Sequence, residues 1–149
     1  AASPDGRYFA TGADDGAVIV WSGKTAPERT LVEMQCPAES RGVRSLHFSD
    51  NGELLAGVCN LKLLIWRGRL ADGFSLHVVL HRRTKVTAAC ISPCERYVVT
   101  ASQDCTIWLW STRDGECLWI FRDGHSPTTH LLFSPDGRFL ASGDKKGIV

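Results

Sequence analysis

The sequence has almost no excess of charge: 17 Lys and Arg stand against 16 Asp and Glu, a net charge of +1. That balance excludes a nucleic-acid-coating arm and a strongly electrostatic membrane binder. No apolar run approaches the roughly 18 residues that a membrane-spanning helix needs. The first residues, Ala1-Ala2-Ser3-Pro4-Asp5-Gly6, lack the layout of a secretory signal and do not start with Met. The last, Gly147-Ile148-Val149, stop inside an apolar run, so the chain is expected to be a piece of a longer protein. Cysteine is sparse, at Cys36, Cys59, Cys90, Cys94, Cys105 and Cys117. Cys59, Cys90 and Cys105 fall in or beside expected strands, which reads as free thiols in a reducing compartment and not as a disulfide framework. What remains, 44% apolar and 9% aromatic residues over 149 positions, is ordinary for one soluble globular domain.

A repeat governs the chain. Ser3-Pro4-Asp5-Gly6-Arg7-Tyr8-Phe9-Ala10-Thr11-Gly12 returns as Ser134-Pro135-Asp136-Gly137-Arg138-Phe139-Leu140-Ala141-Ser142-Gly143. Looser copies start at Ser49 and Ser92, which spaces the leading serines by 46, 43 and 42 residues. Apolar runs ending at Trp21, Trp66 and Trp110 keep the same beat, 45 and 44 residues apart. Two independent markers in phase establish the period.

Each repeat reads as short strands. Val43 to Phe48 alternates and meets a turn at Asp50-Asn51-Gly52, where Asn-Gly supplies the positive φ of a tight hairpin. Strands are expected next at Leu54 to Cys59, Lys62 to Trp66 and Leu76 to Leu80. The third strands, Ala17 to Trp21 and Thr106 to Trp110, are apolar almost throughout. A strand apolar on both sides must be covered on both faces, which four-stranded sheets stacked around an axis provide.

These residues resemble the WD-repeat β-propellers. The resemblance covers nearly the whole chain and rests on four features in register: the Ser-Pro-Asp-Gly turn, a small-residue second strand, an Asp before a Trp, and the Trp that ends strand three. It implies an all-β fold, a β-propeller of four-stranded antiparallel blades, here as an incomplete segment of about three and a half repeats. The repeats are placed at about 1–35, 43–81, 86–122 and 128–149. The family links a His, a Ser or Thr, the turn Asp and the Trp by hydrogen bonds. Carried over, the resemblance assigns Thr11, Asp15 and Trp21 to this network in the first repeat. In the third it assigns Thr100, Asp104 and Trp110, with His81 as the imidazole, and in the fourth His125 with Ser142.

The departures are specific. No Trp is followed by Asp; the pairs are Trp21-Ser22, Trp66-Arg67 and Trp110-Ser111. Gly57 and Asn60 stand at the Thr and Asp places of the second repeat, and Lys146 at the Asp place of the fourth. Those two blades are expected to lack the full network. An unclosed array is also expected to leave an apolar blade face exposed at each end.

The His, Ser or Thr, and Asp arrangement superficially suggests a hydrolase triad. Acyl transfer needs an exposed nucleophile, a base against it and an oxyanion hole. Thr11, Thr100 and Ser142 instead lie inside strands, so no catalysis and no cofactor are expected. Cys90 and Cys94 followed by His125 and His130 loosely match zinc-ligand spacing, but the repeat register separates the pairs, and no metal site is expected.

The densest basic run, His81-Arg82-Arg83-Thr84-Lys85, falls in a connection between blades. On the same rim the resemblance places Asp14, Asp15, Gln103, Asp104, Lys145 and Lys146, where propellers most often bind partner peptides. Arg82, Arg83, Lys85, Asp14, Gln103, Lys145 and Lys146 are the candidate partner contacts, with proteins or peptides as ligands; nucleic acid is not expected as a direct ligand. A basic residue follows each blade Trp, at Lys24, Arg69 and Arg113, a partial likeness to the adaptor-docking box of cullin-type ubiquitin-ligase receptors. The sequence therefore supports an intracellular, cytoplasmic or nuclear, non-enzymatic scaffold, with a ubiquitin-ligase substrate receptor as the alternative.

Overall fold

The structure, a computed structural model, describes residues 1–22, 30–37, 42–69, 73–122 and 126–148. Its strands, in chain order, are β1 (Tyr8–Gly12), β2 (Ala17–Ser22), β3 (Thr30–Gln35), β4 (Val43–Phe48), β5 (Leu54–Cys59), β6 (Lys62–Arg69) and β7 (Gly73–His81). They continue as β8 (Val86–Ile91), β9 (Tyr97–Ser102), β10 (Ile107–Ser111), β11 (Cys117–Phe121), β12 (Thr128–Phe133) and β13 (Leu140–Asp144). The described strands form antiparallel sheets in sequence order: β1-β2-β3, β4-β5-β6-β7, β8-β9-β10-β11 and β12-β13. We call these blades 1 to 4.

Blade 2 explains the apolar strands. Every residue of β5 is buried because its two faces meet different neighbours. Leu55 and Cys59 join a core with Ala10, Val18, Val20 and Met34 of blade 1. Leu54, Ala56 and Val58 join a second core with Val86, Ala89, Val98 and Trp110 of blade 3. Alternation along a strand thus feeds two interblade cores from one continuous apolar run.

The serine-led turns form a repeated module. Ser3, Ser49, Ser92 and Ser134 each accept through the hydroxyl the amide of the residue that resumes the chain, at 2.9 to 3.1 Å. The turn needs a left-handed residue, supplied by Gly6, Gly52 and Gly137. In blade 3 Glu95 occupies that position at φ 58°. Its carboxylate accepts Asn51 Nδ2 at 2.8 Å, joining the turns of blades 2 and 3, while its other oxygen is buried without a partner among the described residues.

Apolar side chains are exposed on the terminal sheets and beside them. Phe9 is 46% exposed in blade 1, Leu132 is 70% exposed on β12, and Phe139, just before β13, is 71% exposed.

Candidate interaction surface

The turns between the second and third strands of the blades and the interblade connections share one end. Two hydrogen bonds show it: Val43 N donates to Ala13 O at 3.1 Å, and Val86 N to Asn60 O at 2.8 Å. Each joins the start of an inner strand to a turn of the preceding blade. This rim carries Asp14, Asp15, Arg83, Gln103, Lys145 and Lys146 as exposed residues and Lys85 as a half-buried one.

Arg82 is placed elsewhere, which corrects its reading as a solvent-facing contact. Its side chain is 1% exposed and closes a polar network inside blade 3. Nε donates to Ser102 Oγ at 2.9 Å and Nη2 to Thr106 Oγ1 at 2.6 Å, with Asp104 Oδ1 at 3.5 Å. The guanidinium also lies 4.0 Å from the Trp108 ring centroid, and Trp108 stacks on Trp110 at 5.1 Å. Burial pushes the Arg82 pKa down, against the Asp104 carboxylate, which raises it. Arginine stays protonated under these conditions.

Thr106 fixes the direction of the network. Arg82 and the Trp108 indole, at 2.9 Å, can only donate to its hydroxyl, so its single proton goes to Asp104 Oδ1 at 2.6 Å. Asp104 also accepts Thr84 Oγ1 at 2.8 Å and Thr106 N at 3.0 Å. Burial alone would raise the Asp104 pKa; the Thr106 and Thr84 hydrogen bonds and the Arg82 charge outweigh it and hold the carboxyl below its usual value.

His81 is exposed at the end of β7, and among the described residues it makes no hydrogen bond to Thr100, Asp104 or Trp110. The expected imidazole position is thus filled by the next residue's guanidinium, which bonds Asp104 but not Thr100. Trp110 Nε1 donates to Thr100 Oγ1 at 2.8 Å in a buried setting. Trp21 Nε1 donates to Thr11 Oγ1 at the same 2.8 Å, but exposed, on the face of blade 1 turned away from blade 2. Asp15 accepts Ala17 N at 2.9 Å, closing its own turn.

Blade 2 lacks the Trp–Thr bond because Gly57 has no hydroxyl, and the Trp66 ring fills the space. A Cβ at Gly57 would lie 2.7 Å from Trp66 Cζ3, so the indole occupies the space a Thr side chain would need. In blade 4 His125 lies outside the described residues, and Ser142 is half-buried opposite Leu131. There Asp144, two residues before Lys146, accepts the Ser126 hydroxyl and the amides of Lys146 and Ile148. The sequence reading missed Ser102, Thr106, Trp108, Ser126 and Asp144. The alternation Thr106-x-Trp108 beside Arg82 was the available signal for the first three.

One further polar pair sits on the inner strand β4. Ser45 Oγ lies 2.7 Å from His47 Nε2, and burial lowers the His47 pKa, so the ring is a neutral hydrogen-bond partner. No hydrogen bond between a carboxylate and this ring is present among the described residues. Arg113 is exposed after Trp110, while Lys24 and the Arg69 side chain lie outside the described residues. Among the described residues, no three His, Cys, Asp or Glu side chains cluster as metal ligands. No described helix is long and apolar enough to cross a membrane.

Comparison with known proteins matches this geometry. The profile of the family described as "WD domain, G-beta repeat" covers residues 1–22, 74–111 and 115–149. Human transducin beta-like protein 2 is 28% identical over 94% of this chain and 33% of its own length. Autophagy-related protein 16 of Arabidopsis thaliana is 30% identical over 99% of this chain and 29% of its own. Pre-mRNA-processing factor 19 of Oryza sativa subsp. japonica is 26% identical over 98% and 28%. The chain thus spans about a third or less of each of these relatives. The profile skips most of blade 2, where Gly57 and the two-residue Asn60-Leu61 turn depart from the pattern, yet that blade is a complete four-stranded sheet. With the serine-led turns in register and the profile matching more than half of its residues, this chain belongs to the WD-repeat family.

Proposed function

We propose that this chain is part of a non-catalytic scaffold that binds other proteins through one propeller rim. The observation that carries this reading is the contrast at that rim between a locked backbone and open side chains. Asp14, Gln103, Lys145 and Lys146 are exposed on hairpin turns closed by backbone hydrogen bonds, such as Gly16 N to Ala13 O at 3.1 Å and Cys105 N to Ser102 O at 3.1 Å. Rigid turns presenting variable polar groups suit recognition, because little conformational entropy is lost on binding. Charge changes sign across the rim, from Asp14 and Asp15 in blade 1 to Lys145 and Lys146 in blade 4. A protein segment with the opposite gradient would be steered into register.

The relatives' names refer to processes as different as pre-mRNA processing and autophagy. One architecture serving unrelated processes fits a scaffold whose loops choose the partner, in the cytoplasm or the nucleus. The test is affinity capture from native extract with the parent protein as bait, as wild type and as the Arg83→Glu/Lys145→Glu/Lys146→Glu variant. Near-stoichiometric protein partners lost from the variant, with unchanged melting, are expected. Partners retained by the variant would remove this rim from the reading, and the absence of any stoichiometric partner would overturn the scaffold itself.

A further inference from the structure

Two of the six cysteines meet across the first interblade core. Cys36 follows β3 in blade 1, where its amide donates to Gly16 O at 3.0 Å. Cys59 is the last residue of β5 in blade 2. Both are buried in one cluster with Met34, Val43 and Leu64, and their sulfur atoms lie 3.2 Å apart. A disulfide bond is about 2.05 Å long, so closure needs each sulfur to move by roughly 0.6 Å. Among the described residues no other two sulfurs touch. Cys90 is buried alone, and Cys94 and Cys117 face solvent.

We propose that Cys36 and Cys59 form a peroxide-oxidisable dithiol whose closure staples blade 1 to blade 2. The order of events follows from exposure: Cys36 is 8% exposed and Cys59 fully buried, so Cys36 meets hydrogen peroxide first. Its thiolate attacks one peroxide oxygen, the O–O bond breaks, and Cys36 becomes a sulfenic acid. The departing hydroxide takes up the proton that Cys36 lost and leaves as water. The Cys59 sulfur then attacks the sulfenic sulfur and the S–O bond breaks. The hydroxyl leaves with the Cys59 proton as a second water. Two thiols lose two electrons and one peroxide becomes two waters.

Either thiol can donate across the 3.2 Å sulfur contact; with Cys59 as the donor, that hydrogen bond holds the Cys36 thiol below its ordinary value against the opposing effect of burial. The same hydrogen bond, with burial, pushes the Cys59 thiol up. Cys36 is therefore the attacking thiol and Cys59 the resolving one. Closure ties residues 23 apart in sequence, enclosing β4 and β5, and reduces the freedom of the unfolded chain.

The experiment uses the full chain with Cys94→Ser, Cys105→Ser and Cys117→Ser, which removes the more accessible thiols. Samples treated with hydrogen peroxide or with dithiothreitol are quenched with iodoacetamide and digested without reduction. The expected product is one peptide pair joined at Cys36 and Cys59, lighter by two hydrogens and split again by dithiothreitol. Peroxide should also raise the melting temperature, and this rise should vanish in Cys36→Ser and in Cys59→Ala. If the triple variant does not fold, mapping the wild-type chain identifies the same linkage. Cys36 and Cys59 alkylated in full after peroxide, or Cys36 oxidised to sulfinic acid with no linkage, would overturn the site. A linked pair without a change in melting would overturn the staple.

Discussion

Replacing Arg82 should destabilise the protein strongly, although the residue sits in a basic run that looks solvated. Arg82→Met keeps most of the apolar stem and deletes the charged head. It removes the donors to Ser102 at 2.9 Å and Thr106 at 2.6 Å. Each hydrogen bond from a charged donor contributes about 1.5–3 kcal/mol. The stack on Trp108 at 4.0 Å adds roughly 0.5–2 kcal/mol. Relief of the guanidinium desolvation offsets part of this, so the expected loss is about 3 kcal/mol, at the low end for breaking a buried charged pair. In a chain of this size that lowers the melting temperature by roughly 10 °C. Arg82→Glu should do worse, because it buries a carboxylate against Asp104. Arg83→Met, one residue on and exposed, should stay within about 0.5 kcal/mol. Urea denaturation followed by tryptophan fluorescence measures all three. Adding salt should leave the gap between Arg82→Met and wild type unchanged, since buried pairs are poorly screened. Equal effects of Arg82→Met and Arg83→Met would refute the burial argument.

Other substitutions read other parts of the frame. Thr100→Val leaves the buried Trp110 indole without its 2.8 Å acceptor and should cost about 1–3 kcal/mol, whereas Thr11→Val, losing the same bond in an exposed setting, should cost under about 1 kcal/mol. Chemical denaturation of the pair decides whether burial sets the difference. Gly57→Thr restores the family residue, yet its Cβ would lie 2.7 Å from the Trp66 ring, so a loss of about 1–3 kcal/mol is expected where a consensus argument expects a gain. Glu95→Gly removes a left-handed non-glycine and a buried oxygen that has no partner among the described residues, but also the Asn51 hydrogen bond; a net gain of about 1 kcal/mol in thermal unfolding is expected. Asp104 has a depressed pKa when folded, so its contribution is complete above the unfolded value near 4 and is lost as pH falls through the lower folded value. Acid titration of stability should therefore show a shallower loss below pH ~4 in Asp104→Asn than in wild type.

The frame was legible because its signals are local. Alternation, turn residues and a period near 43 residues fixed β4 and β5 to the residue, and the apolar third strands announced blades covered on both faces. What local signals could not supply was contact between residues far apart in sequence. Arg82 is buried by Ser102 and Thr106, 20 and 24 residues away, and Cys36 meets Cys59 across 23. The exchange of His81 for Arg82 has a geometric cause. Adjacent residues of an extended chain point to opposite sides, so a register error of one residue turns a buried group into an exposed one. Gly57 shows the reverse case: the residue was read as a defect in a hydrogen-bond pattern, whereas it is the space that the Trp66 ring fills.

The same distinction bears on how a rim can act as a recognition surface. Blades 2 and 3 are bonded to each other at both of their ends. At one end the first amides of β4 and β8 bond the preceding turns, Val43 to Ala13 and Val86 to Asn60. At the other, Asn51 reaches Glu95, and Pro93 lies in the space beside Gly137. Blades tied by such bonds and by the interblade cores do not splay independently, so backbone contacts and cores set the spacing of rim groups on blades 1 to 3. Asp14 and Gln103 are therefore held at a fixed spacing, and side chains at those positions can change without altering the frame. Arg82 lies on the other side of that division: its charge belongs to the frame, and of the pair Arg83 alone faces solvent.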